Sequence, residues 1–368
     1  MTETAMTAPS ATTATLSVPG DAAVDLHLHT HASDGAWTPE GLVDHLVERG
    51  FRVVSVCDHD TQWSVPEVTR LGTERGLYVV PGVEVTTRWS DRQWHLLVYG
   101  IVPGRTDEAA APFQALLAET DTQLQRLAAD ARDRYVAAGK DLPGLADLHA
   151  DRPMWPYHVL MAAIGAGHVK DLKEAAETLV SLGGEFTADQ PLERVVEAAH
   201  LAGGICVVAH PGRSDSVGVM TAADLDRMLE TIPLDGLEGH YRSYTDEQTA
   251  LYRGLAADRG MLISCGSDSH ALGKPVDPRP WQARWCAGLL ARLGVAVTPD
   301  HPGERAWACG RDPLAVIPEP EKPAGPATTA EGSDVGTPTG DQRASDPPAE
   351  VLTDVAARVD AAEVPSPS

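Results

Sequence analysis

The chain has 368 residues and a formal net charge of −24 at pH 7, and its length allows one large hydrophobic core or two modest ones. The acidic excess argues against a protein that coats duplex nucleic acid by neutralising phosphates. It does not exclude a substrate that carries phosphate, because bound metal ions would reverse the local field. No apolar run is long enough to span a bilayer.

Both ends of the sequence have the composition of disordered segments. Residues 1–22 are rich in Thr, Ala and Ser and lack the basic and apolar regions of a signal peptide, which predicts a disordered leader. Residues 313–368 are rich in Pro, Ala, Thr and acidic residues and lack aromatic residues. They cannot bury enough apolar surface to offset their ordering entropy, which predicts a disordered acidic tail.

The cysteines are odd in number, widely spaced and without a CxxC pair. They are Cys57, Cys206, Cys265, Cys286 and Cys309. We interpret them as reduced core residues, which predicts a cytoplasmic protein.

Seven short apolar runs, most of them ending on polar residues, predict seven strands. They cover residues 24–29, 53–59, 77–85, 93–100, 204–211, 234–241 and 261–270. Helical patterns lie between most of them, and Thr38 is placed to cap the first helix, with Pro39 at its first position. Alternating strands and helices predict a parallel sheet. Seven such strands fit a barrel related to the (β/α)8 fold better than an open sheet.

The alternation stops at residues 105–190, where the sequence predicts no strand. A long amphipathic helix is predicted over 107–138, followed by shorter helices that include 158–165 and 172–182. We interpret residues 105–190 as a helical insertion over the mouth of the barrel, and the barrel itself as residues 23–104 and 191–300. The alternative is that these helices are ordinary barrel helices.

Histidine and acidic side chains lie at the ends of all seven predicted strands. They are His27, His29 and Asp34, then Asp58, His59 and Asp60, then Glu84, His95, His210, Glu238, Asp268 and His270. The carboxyl ends of parallel strands converge on one face of a barrel, so we expect these side chains to meet there. Imidazole and carboxylate ligands together suit Zn²⁺, Mn²⁺ or Fe²⁺. A lone HxH pair is weak evidence for a site, but this many charged groups at apolar strand ends require partners.

Several stretches resemble the PHP (polymerase and histidinol phosphatase) family of metal-dependent phosphoesterases. They are DLHLHTHASDG at 25–35, CDHDT at 57–61, PGVEV at 81–85, VVAHPGR at 207–213 and GSDSH at 266–270. The resemblance covers about residues 24–270 in order and spacing. Arg152-Pro153, His158 and Gly167-His168-Val169 also resemble the RPH…GHV segment of one branch. That branch hydrolyses nucleoside 3′,5′-bisphosphates and trims short oligoribonucleotides from the 5′ end.

The resemblance implies a distorted (β/α)7 barrel that holds two or three divalent metal ions. It assigns His27, His29, Glu84 and Asp268 to the first ion, Glu84, His95 and His210 to the second, and Asp34, His59 and His270 to the third. Glu84 would bridge the first two ions. A hydroxide shared by two ions would attack phosphorus, because coordination lowers the pKa of water.

Three further residues are candidates for handling the substrate. Arg213 is placed to clamp a phosphate through two hydrogen bonds, the alternative being a surface arginine in a loop. Arg152 and His158 would reach down from the insertion to hold a second phosphate or protonate the leaving oxygen, the alternative being ordinary residues at a helix start. The candidate catalytic residues are therefore Glu84, His158 and Arg213.

The sequence departs from the family pattern at a few positions. Residues 154–157 separate Arg152-Pro153 from His158, where the family runs on directly, so the loop is longer. His31 stands where the family often has a small or hydroxyl residue, and we interpret it as facing solvent. Ser269 replaces a commonly aromatic position, which predicts a pocket of different shape. Asp58 and Asp60 are interpreted as partners of ligands or as loop caps.

The sequence thus predicts a cytoplasmic metal-dependent phosphoesterase. Its substrates would be small nucleotides, namely 3′,5′-bisphosphates or short 5′-phosphorylated oligoribonucleotides, and not duplex nucleic acid or membranes. One alternative is a histidinol-phosphatase-like enzyme or another phosphatase for small phosphomonoesters, against which the insertion argues. A second alternative is a non-catalytic or regulatory PHP module that binds a partner.

Overall fold

The structure is a computed structural model of the chain, and it describes residues 16–213, 219–273 and 277–298. The predicted tail at 313–368, Cys309 and residues 1–15 of the predicted leader lie outside these ranges. Within the described residues, none of the helices combines the length and apolar composition that crossing a bilayer requires.

The elements follow in chain order. The first part comprises β1 (Leu16–Pro19), β2 (Ala23–Leu28), α1 (Pro39–Glu48), β3 (Phe51–Val56), α2 (Val65–Glu74), β4 (Tyr78–Trp89) and β5 (Arg92–Tyr99). Four helices come next: α3 (Ala111–Ala137), α4 (Leu145–Leu148), α5 (Pro156–Gly165) and α6 (Leu172–Ser181). The last part comprises β6 (Gln190–Pro191), α7 (Leu192–Leu201), β7 (Ile205–Val208), α8 (Ala222–Leu229), β8 (Gly236–Tyr241), α9 (Asp246–Asp258), β9 (Leu262–Gly266), β10 (Trp281–Gln282), a 3-10 helix (Ala283–Cys286), α10 (Ala287–Arg292) and β11 (Val295–Thr298).

The main sheet curls into a nearly closed barrel. Its strand order is β10-β2-β3-β4-β5-β7-β8-β9, with the short β6 beside β4. The two ends of this order meet where Leu28 bridges Ser269 and the Asp268 N–H donates to the His27 carbonyl at 2.8 Å. The distorted barrel with a helical interval that the sequence predicts is therefore confirmed.

One of the seven predicted strands does not run parallel to its neighbours. β5 runs antiparallel to both neighbours, β4 and β7. β4 and β5 form a hairpin through a two-residue turn at Ser90 and Asp91, where Ser90 has a φ of 58°. The predicted strands left only residues 86–92 between them, too few for the crossover that parallel neighbours need. As a result the start of β5, with His95, lies at the same end of the barrel as the second half of β4.

Two apolar layers surround the strands. An inner cluster takes side chains from six strands, namely Leu26, Val53, Val80, Leu97, Val207 and Cys265. An outer cluster buries one face of α1 and α2 against β3, as Leu42, Leu71 and Val54 illustrate. α1 begins where predicted, since the Thr38 side chain accepts a hydrogen bond from the Gly41 N–H at 3.1 Å and Pro39 is the first helical residue.

The helical interval packs partly on the barrel and partly on itself. Phe113 and Leu116, near the start of α3, lie in one apolar cluster with Leu96 of β5. Farther on, Tyr135 of α3 packs with side chains of α5 and α6, such as Leu172, in a separate cluster. Residues 105–190 therefore have an apolar core of their own.

The predicted disordered leader ends too late in the sequence. Residues 16–19 form β1, which pairs in parallel with β11, with Leu16 opposite Val295. Val18 is buried in the inner cluster. A four-residue strand carries little periodicity, and its partner is almost 280 residues away, so local composition does not reveal it.

Candidate metal centre

The side chains predicted as ligands converge at one end of the barrel, around the fully buried Glu84. Its Oε2 lies 2.9 Å from His27 Nε2 and 3.1 Å from His29 Nε2. Its Oε1 lies 2.9 Å from both His95 Nδ1 and His210 Nε2. Each carboxylate oxygen thus faces a different pair of imidazoles, which is the arrangement of a carboxylate that links two cations.

Asp268 completes the group on one side of Glu84. Its Oδ1 lies 3.0 Å from His29 Nε2 and 3.5 Å from His27 Nε2. The two imidazole nitrogens are themselves 3.1 Å apart. Donor atoms about 3 Å apart are at the spacing of neighbouring ligands around one ion, since ligand bonds to Zn²⁺ are about 2.0–2.2 Å long.

A further group lies toward the opening and shares His29 with the first. Asp34 Oδ1 is 3.3 Å from His270 Nε2, and Asp34 Oδ2 is 3.8 Å from His59 Nε2. The His29 and His270 rings stack with centroids 4.1 Å apart. The donor atoms of His29, Asp34, His59 and His270 all lie within 4.8 Å of one another, as do those of His27, His29, Glu84 and Asp268 and those of His59, Glu84 and His95.

The electrostatics of this cluster favour cations. Burial opposes a charged Glu84, but the charge of His27 and the hydrogen bond from His210 outweigh it and hold the Glu84 pKa well below its usual range. Burial likewise opposes a protonated His27, but Glu84, Glu238 and Asp268 raise the His27 pKa well above its usual range. The buried carboxylates are therefore stable only next to positive charge. Protonated imidazoles or bound divalent ions can supply it. The donor set fits divalent metal ions.

Two other imidazoles are held neutral. Burial lowers the pKa of His59 to about 3 and that of His210 to about 4, even though Glu84 opposes both shifts. Neutral imidazole is the form that ligates metals.

Several partners of the ligands were not predicted. Glu238 lies 3.0 Å from His27 Nδ1 and accepts the His210 N–H at 2.7 Å, which turns the His27 Nε2 toward Glu84. The Tyr241 hydroxyl donates to Asp268 Oδ2 at 2.8 Å. Arg242 donates to the carbonyls of Ser267 and Asp268. The sequence placed Glu238 at the end of a predicted strand, whereas no sequence pattern marked Arg242, just after β8, as part of the site.

Asp58 and Asp60 hold loops, in agreement with the interpretation made from the sequence. Asp58 accepts hydrogen bonds from the Thr30 N–H at 2.6 Å and the Ser33 hydroxyl at 3.0 Å. Asp60 accepts both the N–H and the hydroxyl of Thr86 at 2.8 Å.

Three residues of the centre have left-handed backbone conformations. The φ angles are 54° at Asp60, 29° at His210 and 53° at Asp268. Each such residue costs on the order of 1–3 kcal/mol and persists only where the surroundings enforce it. Backbone strain of this kind is concentrated at functional sites.

Arg213 lies at the same mouth. It is buried, and its Nη1 is 3.6 Å from Asp268 Oδ2. The alternative of a surface arginine in a loop is therefore wrong.

Arg152 and His158 lie in the loop before α5 and in its first turn. His158 Nδ1 accepts the Trp155 N–H at 2.9 Å, which leaves the proton on Nε2. Among the described residues, that buried Nε2 has no hydrogen-bond partner, nor do Arg152 Nε and Nη1. Burial, with the charges of Arg152 and His149, lowers the His158 pKa to about 3. These geometries suit binding an anion better than donating a proton from an imidazolium.

His31 does not face solvent as the sequence suggested. Its side chain is only partly exposed, and burial followed by the Arg152 charge lowers its pKa.

A cleft with about 610 Å³ of empty space joins the metal-ligand cluster to the helical interval. Asp34, His59 and His95 line it on the barrel side, and Trp155 and Phe186 line it from residues 105–190. The interval therefore forms one wall above the barrel mouth, as predicted for an insertion.

One more group of donors lies at the opposite end of the barrel. His200 Nε2 is 2.7 Å from Asp235 Oδ2, which also accepts the Cys206 N–H at 2.8 Å. We interpret this group as a structural contact. The thiols of Cys57, Cys206, Cys265 and Cys286 are buried, as predicted for core residues.

Comparisons with known proteins identify relatives that are named as an exoribonuclease and a phosphatase. No protein-family model matches the chain. A 5′-3′ exoribonuclease of Haemophilus influenzae is 29% identical over 270 residues, which cover 69% of this chain and 94% of that protein. A 3′,5′-nucleoside bisphosphate phosphatase of Chromobacterium violaceum is 28% identical over 265 residues, which cover 68% of this chain and 88% of that protein.

The resemblance to the PHP phosphoesterases is confirmed. Among solved structures, a Bifidobacterium adolescentis protein described as a metal-dependent phosphoesterase superposes with a TM-score of 0.60 and is 27% identical. The match covers 71% of this chain and 92% of that one. The chain is thus a hydrolase related to the PHP phosphoesterases, on the branch that the sequence indicated.

Proposed function

We propose that this PHP relative hydrolyses phosphate esters of small nucleotides, either nucleoside 3′,5′-bisphosphates or short 5′-phosphorylated oligoribonucleotides. The observation that carries the proposal is the Glu84 carboxylate, each oxygen of which faces its own pair of imidazoles at 2.9–3.1 Å. The activities of the two curated relatives support this class of substrate. The reduced, buried cysteines support a cytoplasmic setting.

The ligand groups would be those that the resemblance implies, for two or three ions of Mn²⁺, Zn²⁺ or Fe²⁺. His27, His29, Glu84 and Asp268 would hold the first, Glu84, His95 and His210 the second, and Asp34, His59 and His270 the third. Bound divalent ions lower the pKa of water and offset charge on phosphoryl oxygens. The shared Glu84 supports two adjacent ions, because its charge would reduce their mutual repulsion.

The chain's own residues would orient the substrate. Arg213, buried near Asp268, would contact the phosphate that reacts. Arg152 and His158 would bind a second phosphate through N–H groups that have no partner within residues 16–213, 219–273 and 277–298. Such donors gain most from a charged acceptor, because they are already out of water.

The test is phosphate release from adenosine 3′,5′-bisphosphate by the full chain loaded with Mn²⁺, with chromatography of the products. Histidinol phosphate serves as the comparison substrate for the alternative activity. We expect faster hydrolysis of the nucleotide and more than about 100-fold loss in a His27→Ala, Glu84→Ala double variant. Full activity in the double variant would exclude catalysis at this centre.

A further inference from the structure

We propose that the cleft above the metal centre is a binding subsite for the nucleobase, with the Gln93 amide as its hydrogen-bonding group. The inference rests on the proposed function and extends it, because it assigns a role to side chains that neither metals nor phosphates require. Its two independent supports are an apolar aromatic wall and a buried polar group that lines the same space.

The wall comes from the helical insertion. Trp155 and Phe186 are 9% and 8% exposed, and both line the cleft together with Leu124 and Ala188. The Trp155 indole N–H donates to Asp121 Oδ1 at 2.8 Å, which fixes the plane of the ring. Rigid aromatic faces bind nucleobases by stacking and discriminate little between them. Trp155 also lies in the extension at 154–157 that sets this chain apart from the family pattern.

The polar group is Gln93 on β5. Its side chain is 5% exposed and lines the cleft, and its Nε2 has no hydrogen-bond partner in the part of the chain that the structure describes. A buried amide without a partner is costly, and a ligand that supplies an acceptor removes that cost. The acceptor atoms on the edge of a nucleobase meet this requirement.

The position of Gln93 relative to the metal ligands fits a nucleotide. Gln93 and His95 are two residues apart on one strand, so their side chains leave the same face, about 7 Å apart along the strand. A phosphate at His95 would place the uncharged part of the substrate toward Gln93 and the aromatic wall. The Asp60 carboxylate, which also lines the cleft, disfavours a second anion there.

The experiment measures binding by titration calorimetry to the full chain loaded with Mn²⁺. The ligands are phosphorothioate analogues, which resist hydrolysis, of adenosine and uridine 3′,5′-bisphosphates and of the matching ribose bisphosphate that lacks a base. Phosphate release is measured separately with the parent bisphosphates. We expect the wild type to bind at least one nucleotide about tenfold more tightly than the abasic compound. Gln93→Leu and Phe186→Ala should each remove most of that difference and leave the affinity for the abasic compound within about twofold.

Gln114→Leu is the matched control. Gln114 Nε2 is also a buried amide nitrogen without a partner among the described residues, but it lies on α3 and does not line the cleft. We expect this variant to bind all three ligands as the wild type does. Melting temperatures of all variants check that they fold.

The outcomes separate this inference from the proposed function. Equal wild-type affinities for all three compounds would overturn the base subsite, even if phosphate is released from each. If Gln93→Leu lowered the affinity for the nucleotide and for the abasic compound by the same factor, the base subsite would be overturned as well. A preserved affinity difference without release of phosphate from any compound would support the subsite and contradict the proposed function.

Discussion

At the scale of single residues, the charge of Glu84 depends on the histidines around it. A fully buried carboxylate is stable only if cations or hydrogen-bond donors compensate for its lost hydration. Here four imidazoles approach its two oxygens within 3.1 Å, and Glu238 and Tyr241 orient the groups behind them.

Replacing Glu84 should therefore affect metal binding more than folding. We expect Glu84→Gln, which keeps the size but removes the charge, to lose at least one equivalent of bound metal and more than about 100-fold in activity. Elemental analysis of the dialysed protein and phosphate release measure these effects. Glu67→Gln, at an exposed carboxylate of α2 that pairs with Arg70, is the control and should change neither. Wild-type metal content in Glu84→Gln would contradict the bridging role.

His158 allows the binding and proton-transfer roles to be separated. His158→Asn retains an acceptor for the Trp155 N–H but loses the donor at Nε2. We expect KM for a nucleoside 3′,5′-bisphosphate to rise about tenfold or more, with kcat nearly unchanged, because a hydrogen bond to a charged group is lost. KM for a nucleoside 3′-monophosphate, which lacks the second phosphate, should stay the same.

The pH dependence provides the second check on His158. With a pKa lowered to about 3, the imidazole is neutral above about pH 5, so its contribution to KM should be constant between pH 5.5 and 8.5. An inflection near pH 6.5 that disappears in His158→Asn would show that the protonated form acts, and would restore the role of proton donor.

At the scale of secondary-structure elements, the hairpin of β4 and β5 positions two of the predicted ligands, Glu84 and His95. Glu84 lies in the middle of β4, and His95 near the start of β5 pairs with Thr86 across the hairpin. The close approach of β4 to β3 depends on Gly82, where a Cβ would lie 2.7 Å from Cys57 Sγ and 2.8 Å from the Val56 carbonyl oxygen.

Gly82→Ala should therefore push β3 and β4 apart and displace Glu84, two residues farther along. We expect a loss of about 1–3 kcal/mol in the free energy of unfolding, as for overpacked cores, together with weaker metal binding. Urea titration and elemental analysis measure the two effects. Gly254→Ala on α9 is the matched control, because a Cβ there meets no described atom within 4 Å. Its stability should stay equal or rise, since alanine favours helix. Equal stability of the two variants would show that the strands have room to adjust.

At the scale of the whole molecule, the metal centre lies where the ends of the sheet approach each other. The His29 N–H donates to the Ser269 carbonyl at 2.9 Å, next to Asp268. Ions held by residues of β2, β4, β5, β7 and β9 would therefore link strands that are distant in sequence.

Chelation should lower the melting temperature of the whole domain. An ion that binds only the folded state adds about 2.7 kcal/mol at one hundred times its Kd, so we expect a decrease of several degrees with EDTA. Differential scanning fluorimetry measures it, and added Mn²⁺ should reverse it. Glu84→Gln should respond much less than the wild type. A wild-type melting temperature that EDTA leaves unchanged would mean that the ions do not stabilise the fold.

Much of this architecture was predictable because it depends on short-range pattern. Periodicity and capping residues a few positions apart predict the seven strands, the Thr38 cap and the long helix at Ala111–Ala137. The candidate ligands followed from the same patterns, since strand ends carry the charged residues.

The sequence by itself determined the alternation of strands and helices and the histidine and acidic side chains at the strand ends. It also determined the resemblance to the PHP family, which assigns those side chains to metal ions. Only the tertiary structure decided that β5 runs antiparallel, that residues 16–19 form a strand with β11, and that Gln93 lines the cleft. The physical reason is the distance along the chain between the residues that make contact. Strand direction, pairing and the meeting of side chains depend on contacts between residues far apart in sequence, which local periodicity does not record.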